Sequence, residues 1–162
     1  MPVIAVDKDP ERLTLTTTAD FAAPIERVWQ VWADPRTLER WWGPPGYPAT
    51  FTAHALAPGG AMAYYMTSPE GERYHGWWRV TAVDAPNGFS FEDGFANADG
   101  SPNDALPGTR SVVTLHEAGP GTTRMTIVAT FGSAEAMQQL LEMGMEEGLK
   151  LAVGQIDGLL AG

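Results

Sequence analysis

The chain has 162 residues, of which 44% are hydrophobic and 19% charged, and its net charge at neutral pH is -10. This composition indicates a globular protein large enough for one sizeable core, and it excludes a disordered or fibrous chain. Lysine and arginine number 10 against 20 acidic residues, so nucleic acid, itself an anion, is excluded as a partner. The absence of cysteine excludes disulfides, thiol nucleophiles and thiolate metal sites.

The N-terminal residues 1–13, MPVIAVDKDPERL, carry a short apolar run followed by charges. Such a run is too short for a signal peptide, and no stretch approaches the length that spans a membrane. We therefore expect a cytoplasmic protein without a membrane partner. Residues 1–11 show no period and are predicted to be a tail or an extra edge segment, while residues 12–162 are predicted to form a single domain.

The first regular elements are a strand and two short helices. Residues 12–21, RLTLTTTADF, alternate apolar and polar side chains, which predicts a half-buried strand. In residues 23–42 the apolar residues recur at helical spacing instead. Asp34-Pro35 interrupts this pattern, so a second short helix is predicted from Pro35 to about Trp41.

The remaining chain predicts a sheet and a covering helix. From Ala49 to Phe131, strand-like segments alternate with turns rich in glycine and proline, which makes about five further strands. From Ser133 to about Leu160, apolar residues recur at helical spacing without a proline, which predicts one long helix. Consecutive strands with short turns pair antiparallel. The predicted fold class is therefore α+β, with a curved antiparallel sheet of about six or seven strands around a long C-terminal helix.

Two adjacent tryptophans precede a rigid turn in residues 41–48, WWGPPGYP. Because glycines and prolines fix the chain directly after Trp42, its ring is predicted to be anchored in the interior. Trp41 is then expected to be the more exposed of the pair.

Five segments stand out for their order and spacing. They are FAAPIERVWQVWADPRTLERWWGP, APGGAM, HGWWRVTAVDAPNGFSFED, GTTRMTIVATF and MEEGLKLAVGQIDGLLAG. Together they resemble the bacterial homologues of the heat-shock-protein-90 ATPase activator, within the START-like (SRPBCC) helix-grip superfamily. The resemblance implies a helix-grip fold with a cavity between the long helix and the concave sheet. Different superfamily members use this cavity for lipids, polyketides, aromatic metabolites or steroids.

Strand alternation and helix spacing select the side chains that face this cavity. Most of them are aromatic or methionine, which suits a flat apolar or aromatic ligand. The candidate ligand-binding residues are Trp32, Trp42, Met62, Tyr64, Met66, Tyr74, Trp78, Phe91, Phe95, Met137, Leu141 and Met145. The alternative is that the same side chains fill a close-packed core. On the strand that contains both Trp77 and Trp78, Trp78 is predicted to face inward and Trp77 outward.

Few residues indicate catalysis or metal binding. The histidines His54, His75 and His116 lack the spacing of a metal site, so neither a metal nor a cofactor is predicted. Glu92 and Asp93 are consecutive on a strand and therefore point to opposite faces. One of them is expected at the cavity mouth, either as a general base or as a solvated strand end.

The leading hypothesis is a protein, monomer or homodimer, that binds a small hydrophobic or aromatic molecule in this cavity without covalent chemistry. Residues 97–108 would form a mobile loop over the cavity entrance. One alternative is a cyclase-like or hydrolase-like enzyme that uses Tyr64, Tyr74 or Glu92 for proton transfer. A chaperone-associated protein, as the name of the family implies, is a further alternative.

Overall fold

The structure is a computed structural model in which residues 4–161 are described. Two strands are followed by two short helices, six further strands and three helical segments. The strands are β1 (Ile4–Asp9), β2 (Thr14–Phe21), β3 (Ala49–His54), β4 (Ala61–Thr67), β5 (Arg73–Asp84), β6 (Gly88–Phe95), β7 (Thr109–Gly119) and β8 (Thr122–Phe131). The helices are α1 (Ile25–Ala33), α2 (Pro35–Trp41), α3 (Ala134–Glu142), α4 (Met145–Val153) and α5 (Ile156–Leu160).

All eight strands form one antiparallel sheet in the order β1-β2-β8-β7-β6-β5-β4-β3. The predicted α+β class and the two short helices between a strand and the rest of the sheet are confirmed. The strand count is eight and not six or seven, because residues 49–131 contain six strands and the N-terminal segment, expected to be a tail or an extra edge segment, adds the edge strand β1. β1 carries charges without a period, and it pairs only with β2 at the edge of the sheet.

One face of the sheet is buried and the other is solvated. β2 shows the pattern most clearly, since Leu15, Thr17, Ala19 and Phe21 are buried while the residues between them are not. Successive side chains of a strand point to opposite faces, so alternation in the sequence becomes an inner and an outer face. The prediction for β5 is confirmed in the same way, because Trp78 is 1% exposed.

The two short helices arise where Asp34-Pro35 breaks a helical pattern. The carboxylate of Asp34 accepts a hydrogen bond from the backbone N–H of Arg36, with proline in the first helical turn, and so caps α2. α1 buries Trp29 and Trp32 against the inner face of the sheet.

The turn after α2 reverses the expected exposure of the tryptophan pair. Trp41 is 0% exposed and its indole N–H donates to the carbonyl of Val31 at 2.8 Å, whereas Trp42 is half-buried. The prediction that Trp41 is the more exposed residue is therefore wrong, because the last turn of α2 points Trp41 back onto α1. The anchoring of Trp42 is confirmed, since its ring lies 4.7 Å from that of Trp78 between centroids.

The C-terminal helix is divided into α3, α4 and α5 instead of running unbroken. Gly144, at the N-terminus of α4, has a φ of 91°, a left-handed conformation that a continuous helix does not contain. A second interruption lies at Gly154 and Gln155. α3 packs on β8, α4 on β1 and β2, and α5 on α1. Within residues 4–161, no helix is long and apolar enough to cross a membrane.

The buried side chains form two clusters, which are named here by position. The first cluster joins α1, α2, the end of α4 and α5 to β2–β8 and includes Trp32, Trp41, Phe51, Met62, Trp78, Phe89 and Phe91. The second cluster lies under α3 and consists of Leu15, Ala129, Phe131, Met137 and Leu140. Both clusters lie on the inner face of the same sheet, and β2 and β8 contribute residues to both of them.

Candidate functional site

A row of five inward-facing residues crosses the sheet from the first cluster to the second. Met62, Trp78, Asp93, Thr109 and Phe131 are successive cross-strand partners on β4 to β8. The first two belong to the first cluster and the last belongs to the second. A carboxyl group and a hydroxyl group therefore separate two apolar regions of the interior.

The next row along the strands also connects the clusters. Tyr64, Gly76 and Phe95 are cross-strand partners, and Tyr64 packs against the first cluster while Phe95 packs against the second. The ring of Tyr64 lies over Gly76, where a Cβ atom would stand 2.4 Å from the phenolic oxygen. Only glycine leaves room for the tyrosine ring at this position.

Two tryptophan indole groups near Tyr64 carry unused hydrogen-bond donors. Among the buried side-chain nitrogen and oxygen atoms of the described residues, those without a partner are the Nε1 atoms of Trp42 and Trp78. By contrast, the indole of Trp32 donates to the sulfur of Met125 at 3.3 Å. Leaving a buried donor unpaired costs about 1–3 kcal/mol, so two such groups in one place need an explanation.

The hydroxyl of Tyr64 lies among these donors. Burial raises the pKa of Tyr64 well above its usual range, and the negative charge of Asp93 raises it further. The indole groups of Trp42 and Trp78 are near enough to oppose this pKa shift, although neither forms a hydrogen bond of normal geometry. Tyr64 is therefore a neutral phenol that donates or accepts hydrogen bonds at neutral pH.

Asp93 lies at the boundary between the interior and the surface. Burial raises the pKa of its carboxyl group to about 6, against the hydrogen bonds that it accepts from the hydroxyl and the backbone N–H of Thr109. The residue keeps some exposure, and it lines a pocket of about 240 Å³ together with Glu92, Arg110 and Thr130 of the outer face. Its neighbour Glu92 points to the outer face, where it pairs with Arg79.

We name this group of polar atoms the polar junction. It consists of the indole N–H groups of Trp42 and Trp78, the Tyr64 hydroxyl, the Asp93 carboxyl and the Thr109 hydroxyl. Its donors and its acidic group are held by neighbouring strands and by the rigid turn after α2. Such a set of polar groups surrounded by aromatic side chains is typical of a small-molecule site.

Comparison with known proteins agrees with this architecture. A sequence model of the family described as "Activator of Hsp90 ATPase homolog 1-like protein" matches residues 22–161. The chain belongs to this family. The match begins at the end of β2 and ends with α5, so it includes both short helices, the turn and every residue of the polar junction.

Solved structures of bacterial proteins show the same fold. The chain is similar to protein Ms6760 from Mycobacterium smegmatis, with 53% identity, a TM-score of 0.90, and 98% of this chain and 97% of that chain covered. It is also similar to a protein from Arthrobacter aurescens, with 50% identity, a TM-score of 0.93, and 97% and 91% covered. A protein from Staphylococcus epidermidis is 26% identical, with a TM-score of 0.83 and 97% and 93% covered. Among curated proteins, none matches the chain.

Eleven of the twelve candidate ligand-binding residues lie in or against the two clusters of this family member. Those in the first cluster or against it are Trp32, Trp42, Met62, Tyr64, Met66, Trp78 and Phe91. Those in the second cluster or against it are Phe95, Met137, Leu141 and Met145. The sequence therefore brought together residues that the structure groups in the interior, although it did not show that they form two clusters.

Tyr74 is the exception among the twelve. It is 52% exposed, and its hydroxyl donates to Glu72 at 2.9 Å. Alternation gives Tyr74 the same face as Gly76 and Trp78, but this end of β5 extends beyond the buried part of the sheet. The expectation that Tyr74 lines the cavity is therefore wrong, and so is its assignment as an interior proton-transfer group.

The site also contains residues that the sequence did not single out. Thr109 was not among the candidates, although the alternation of TRSVVTL at 109–115 places Thr109 and Ser111 inward. Glu92 was considered for proton transfer, but it lies on the outer face with Arg79. Of the consecutive pair Glu92 and Asp93, only Asp93 faces the interior.

The histidines lie away from the polar junction, whereas the end of the long loop lies beside Asp93 and Thr109. His54 is within 3.1 Å of the carbonyl of Trp32, His75 contacts Tyr65, and His116 is exposed. In the part of the chain that the structure describes, no three potential ligands are grouped to hold a metal ion. The loop 97–108 is cross-linked by hydrogen bonds between Asn97 and Ser101, and its end lines the 240 Å³ pocket.

Proposed function

We propose that this protein binds a small aromatic or hydrophobic molecule that carries a hydrogen-bond acceptor. The ligand would lie at the polar junction, between the sheet and the C-terminal helical segments. The observation that carries the proposal is the pair of buried indole N–H groups at Trp42 and Trp78 without a partner. A ligand oxygen placed between these donors would satisfy both and recover the free energy that their burial costs.

The surroundings of the junction suit the apolar part of such a ligand. The rings of Trp42 and Trp78 meet edge to face at 4.7 Å, and that of Phe51 stacks on Tyr64 at 5.0 Å. On the other side, Phe95 and the second cluster offer further apolar surface. Flat aromatic molecules gain dispersion and edge-to-face contacts in such surroundings.

The helical cover offers a way for a ligand to enter. Leu141 and Met145 are only partly buried, although they lie on the side of the helices that faces the second cluster. Gly144, between them, connects α3 to α4 through a left-handed backbone conformation instead of a continuous helix. The far end of the cover is fixed, because the side chain of Gln155 donates to the carbonyl groups of Trp41 and Gly43 at 3.2 and 2.8 Å. A ligand would therefore displace α3 and the beginning of α4 more readily than α5 and the end of α4, where Ala152 and Val153 are buried.

A calorimetric titration tests the proposal with two naphthalenes of similar shape. Acetylnaphthalene carries a carbonyl oxygen, and isopropylnaphthalene, substituted at the same ring carbon, carries none. We expect both to bind with one molecule per chain, and the ketone to bind about tenfold more tightly, which corresponds to about one hydrogen bond. No heat of binding from either compound would overturn the proposal.

The sheet supplies a matched pair of variants for this titration. Tyr64→Phe removes the hydroxyl from the polar junction, while Tyr65→Phe removes one from the outer face, where Arg73 lies over the Tyr65 ring. We expect Tyr64→Phe to weaken ketone binding severalfold and to leave isopropylnaphthalene unaffected. Equal effects of the two variants would place the binding site elsewhere.

Catalysis by the same site is the second candidate function, and Asp93 favours it. A carboxyl group with a pKa of about 6 exchanges protons readily near neutral pH, as a general acid or base must. Asp93 would take the role that the sequence suggested for Glu92 and Tyr74. Conversion of a bound compound that is lost in Asp93→Asn would favour this candidate over binding alone.

A further inference from the structure

We propose that Asp93 determines the class of ligand, so that the site accepts neutral molecules with a hydrogen-bond acceptor and rejects carboxylates. This inference rests on the proposed binding function and gives it a chemical selectivity. Unpaired donors by themselves would attract an anion more strongly than a neutral oxygen. A fixed negative charge beside them reverses that preference.

The register of the sheet places the carboxyl group next to the donors. Asp93 and Trp78 are direct cross-strand partners with side chains on the same face. The Cβ atoms of such partners lie about 5 Å apart. Asp93 also acts on Tyr64, whose phenolate its charge disfavours. An acceptor held by Trp78 and Tyr64 would therefore lie within a short distance of Asp93.

Among the described residues, no cationic side chain pairs with the negative charge of Asp93 in the interior. Its hydrogen bonds come from neutral groups, which are the hydroxyl and the backbone N–H of Thr109 and its own backbone N–H. The nearest arginines along the strands, Arg79 and Arg110, lie on the outer face, and Arg79 pairs there with Glu92. A second carboxylate in this poorly solvated place would meet strong repulsion without compensation.

The charged side chains of the two segments that follow β6 and β8 at this end of the sheet are exposed. They belong to the loop after β6 and to α3, and they are Asp99, Asp104, Glu135 and Glu142. All of them are acidic, so they do not offset the charge of Asp93. Solvent screens exposed charges far more effectively than a buried one, so the selectivity should depend on Asp93.

A competition between a ketone and a carboxylate of the same shape tests the inference. Acetylnaphthalene and naphthoate, substituted at the same ring carbon, are titrated into the unaltered protein at about pH 8, where Asp93 is ionised. We expect naphthoate to bind at least about tenfold more weakly than the ketone. Equal affinities for the two compounds would overturn the inference while leaving the binding function intact.

Two neighbouring variants separate the local charge from the overall negative charge. Asp93→Asn removes the inward carboxylate and keeps an oxygen that accepts from Thr109, while Glu92→Gln removes one negative charge from the outer face. In Asp93→Asn we expect the affinity for naphthoate to come within about threefold of the affinity for the ketone. In Glu92→Gln the ratio of the two affinities should be the same as in the unaltered protein. Equal ratios in Asp93→Asn and the unaltered protein would overturn the inference.

The unaltered protein provides an independent measurement if Asp93→Asn does not fold. At about pH 5 Asp93 is protonated, and concentrated salt screens the surface charges. Under these conditions the affinities for naphthoate and for the ketone should differ less than at about pH 8. An unchanged ratio at the two pH values would count against Asp93. If neither compound binds at either pH, the binding function fails and the selectivity fails with it.

Discussion

At Asp93, burial and hydrogen bonding act in opposite directions on one carboxyl group. Burial dominates, and the pKa rises to about 6 in spite of the hydrogen bonds from Thr109. The protein thus keeps an ionisable group in a place where its charge is costly, beside two indole groups without partners. Residues that stabilise the fold only are not expected to be arranged in this way, and such departures are typical of functional sites.

The raised pKa of Asp93 predicts how stability depends on pH. Because the pKa in the folded protein, about 6, lies above the ordinary value of 3.8, protonation favours the folded state. The free energy of unfolding should therefore rise as the pH falls from about 6 to about 4, by at most about 3 kcal/mol. Urea denaturation across this range measures the rise.

The variants at positions 92 and 93 identify the group responsible. The free energy of unfolding of Asp93→Asn should no longer rise between about pH 6 and about pH 4, whereas that of Glu92→Gln should still rise. Asp20 has the opposite effect on the free energy of unfolding. The hydrogen bonds from Arg124 lower the pKa of the Asp20 carboxyl group, so its ionised form stabilises the folded protein. That stabilisation is lost only at more acidic pH. A rise that persists in Asp93→Asn would mean that another group titrates.

Single side chains were predictable from the sequence where alternation decides their direction. The inward position of Trp78 follows from the period of β5, and so does the opposite orientation of Glu92 and Asp93. Which of Trp41 and Trp42 is more exposed could not be predicted in this way, because it depends on how the last turn of α2 packs on α1. That contact is tertiary, and no local pattern encodes it.

Among the elements, the C-terminal helix shows how glycine changes a helical pattern. The apolar spacing from Ser133 to Leu160 predicted a single helix. Gly144 instead adopts a left-handed conformation and lets α4 pack on β1 and β2 after α3 packs on β8. A periodic pattern does not reveal such a break, since the residues on both sides keep their helical spacing.

Two alanine substitutions in this region test the interruption. Gly148 is inside α4, and a Cβ atom there would meet nothing within 4 Å, so Gly148→Ala should stabilise the protein by about 0.5–1 kcal/mol. Gly144→Ala should destabilise it by about 1 kcal/mol, because alanine disfavours a positive φ. Thermal or urea denaturation of both variants measures the difference. Stabilisation by both substitutions would indicate a continuous helix.

For the whole molecule, strand order and helix placement determine where a ligand can lie. The antiparallel sheet and its helical cover were predictable because turn signals and periods agree along the chain. The division of the interior into two clusters with polar groups between them was not predictable. It depends on the register by which β5, β6, β7 and β8 align Trp78, Asp93, Thr109 and Phe131, and register is a property of paired strands.

The indole N–H signals in proton–nitrogen correlation spectra report most directly on the proposed site. The chain has six tryptophans, and single tryptophan-to-phenylalanine variants assign their signals. Acetylnaphthalene at saturation should shift the indole protons of Trp42 and Trp78 downfield, as new hydrogen bonds do. The indole proton of Trp41, already bonded to Val31, should change little. Saturation that leaves the signals of Trp42 and Trp78 in place, or that moves only the signal of Trp77, would contradict a ligand at the polar junction.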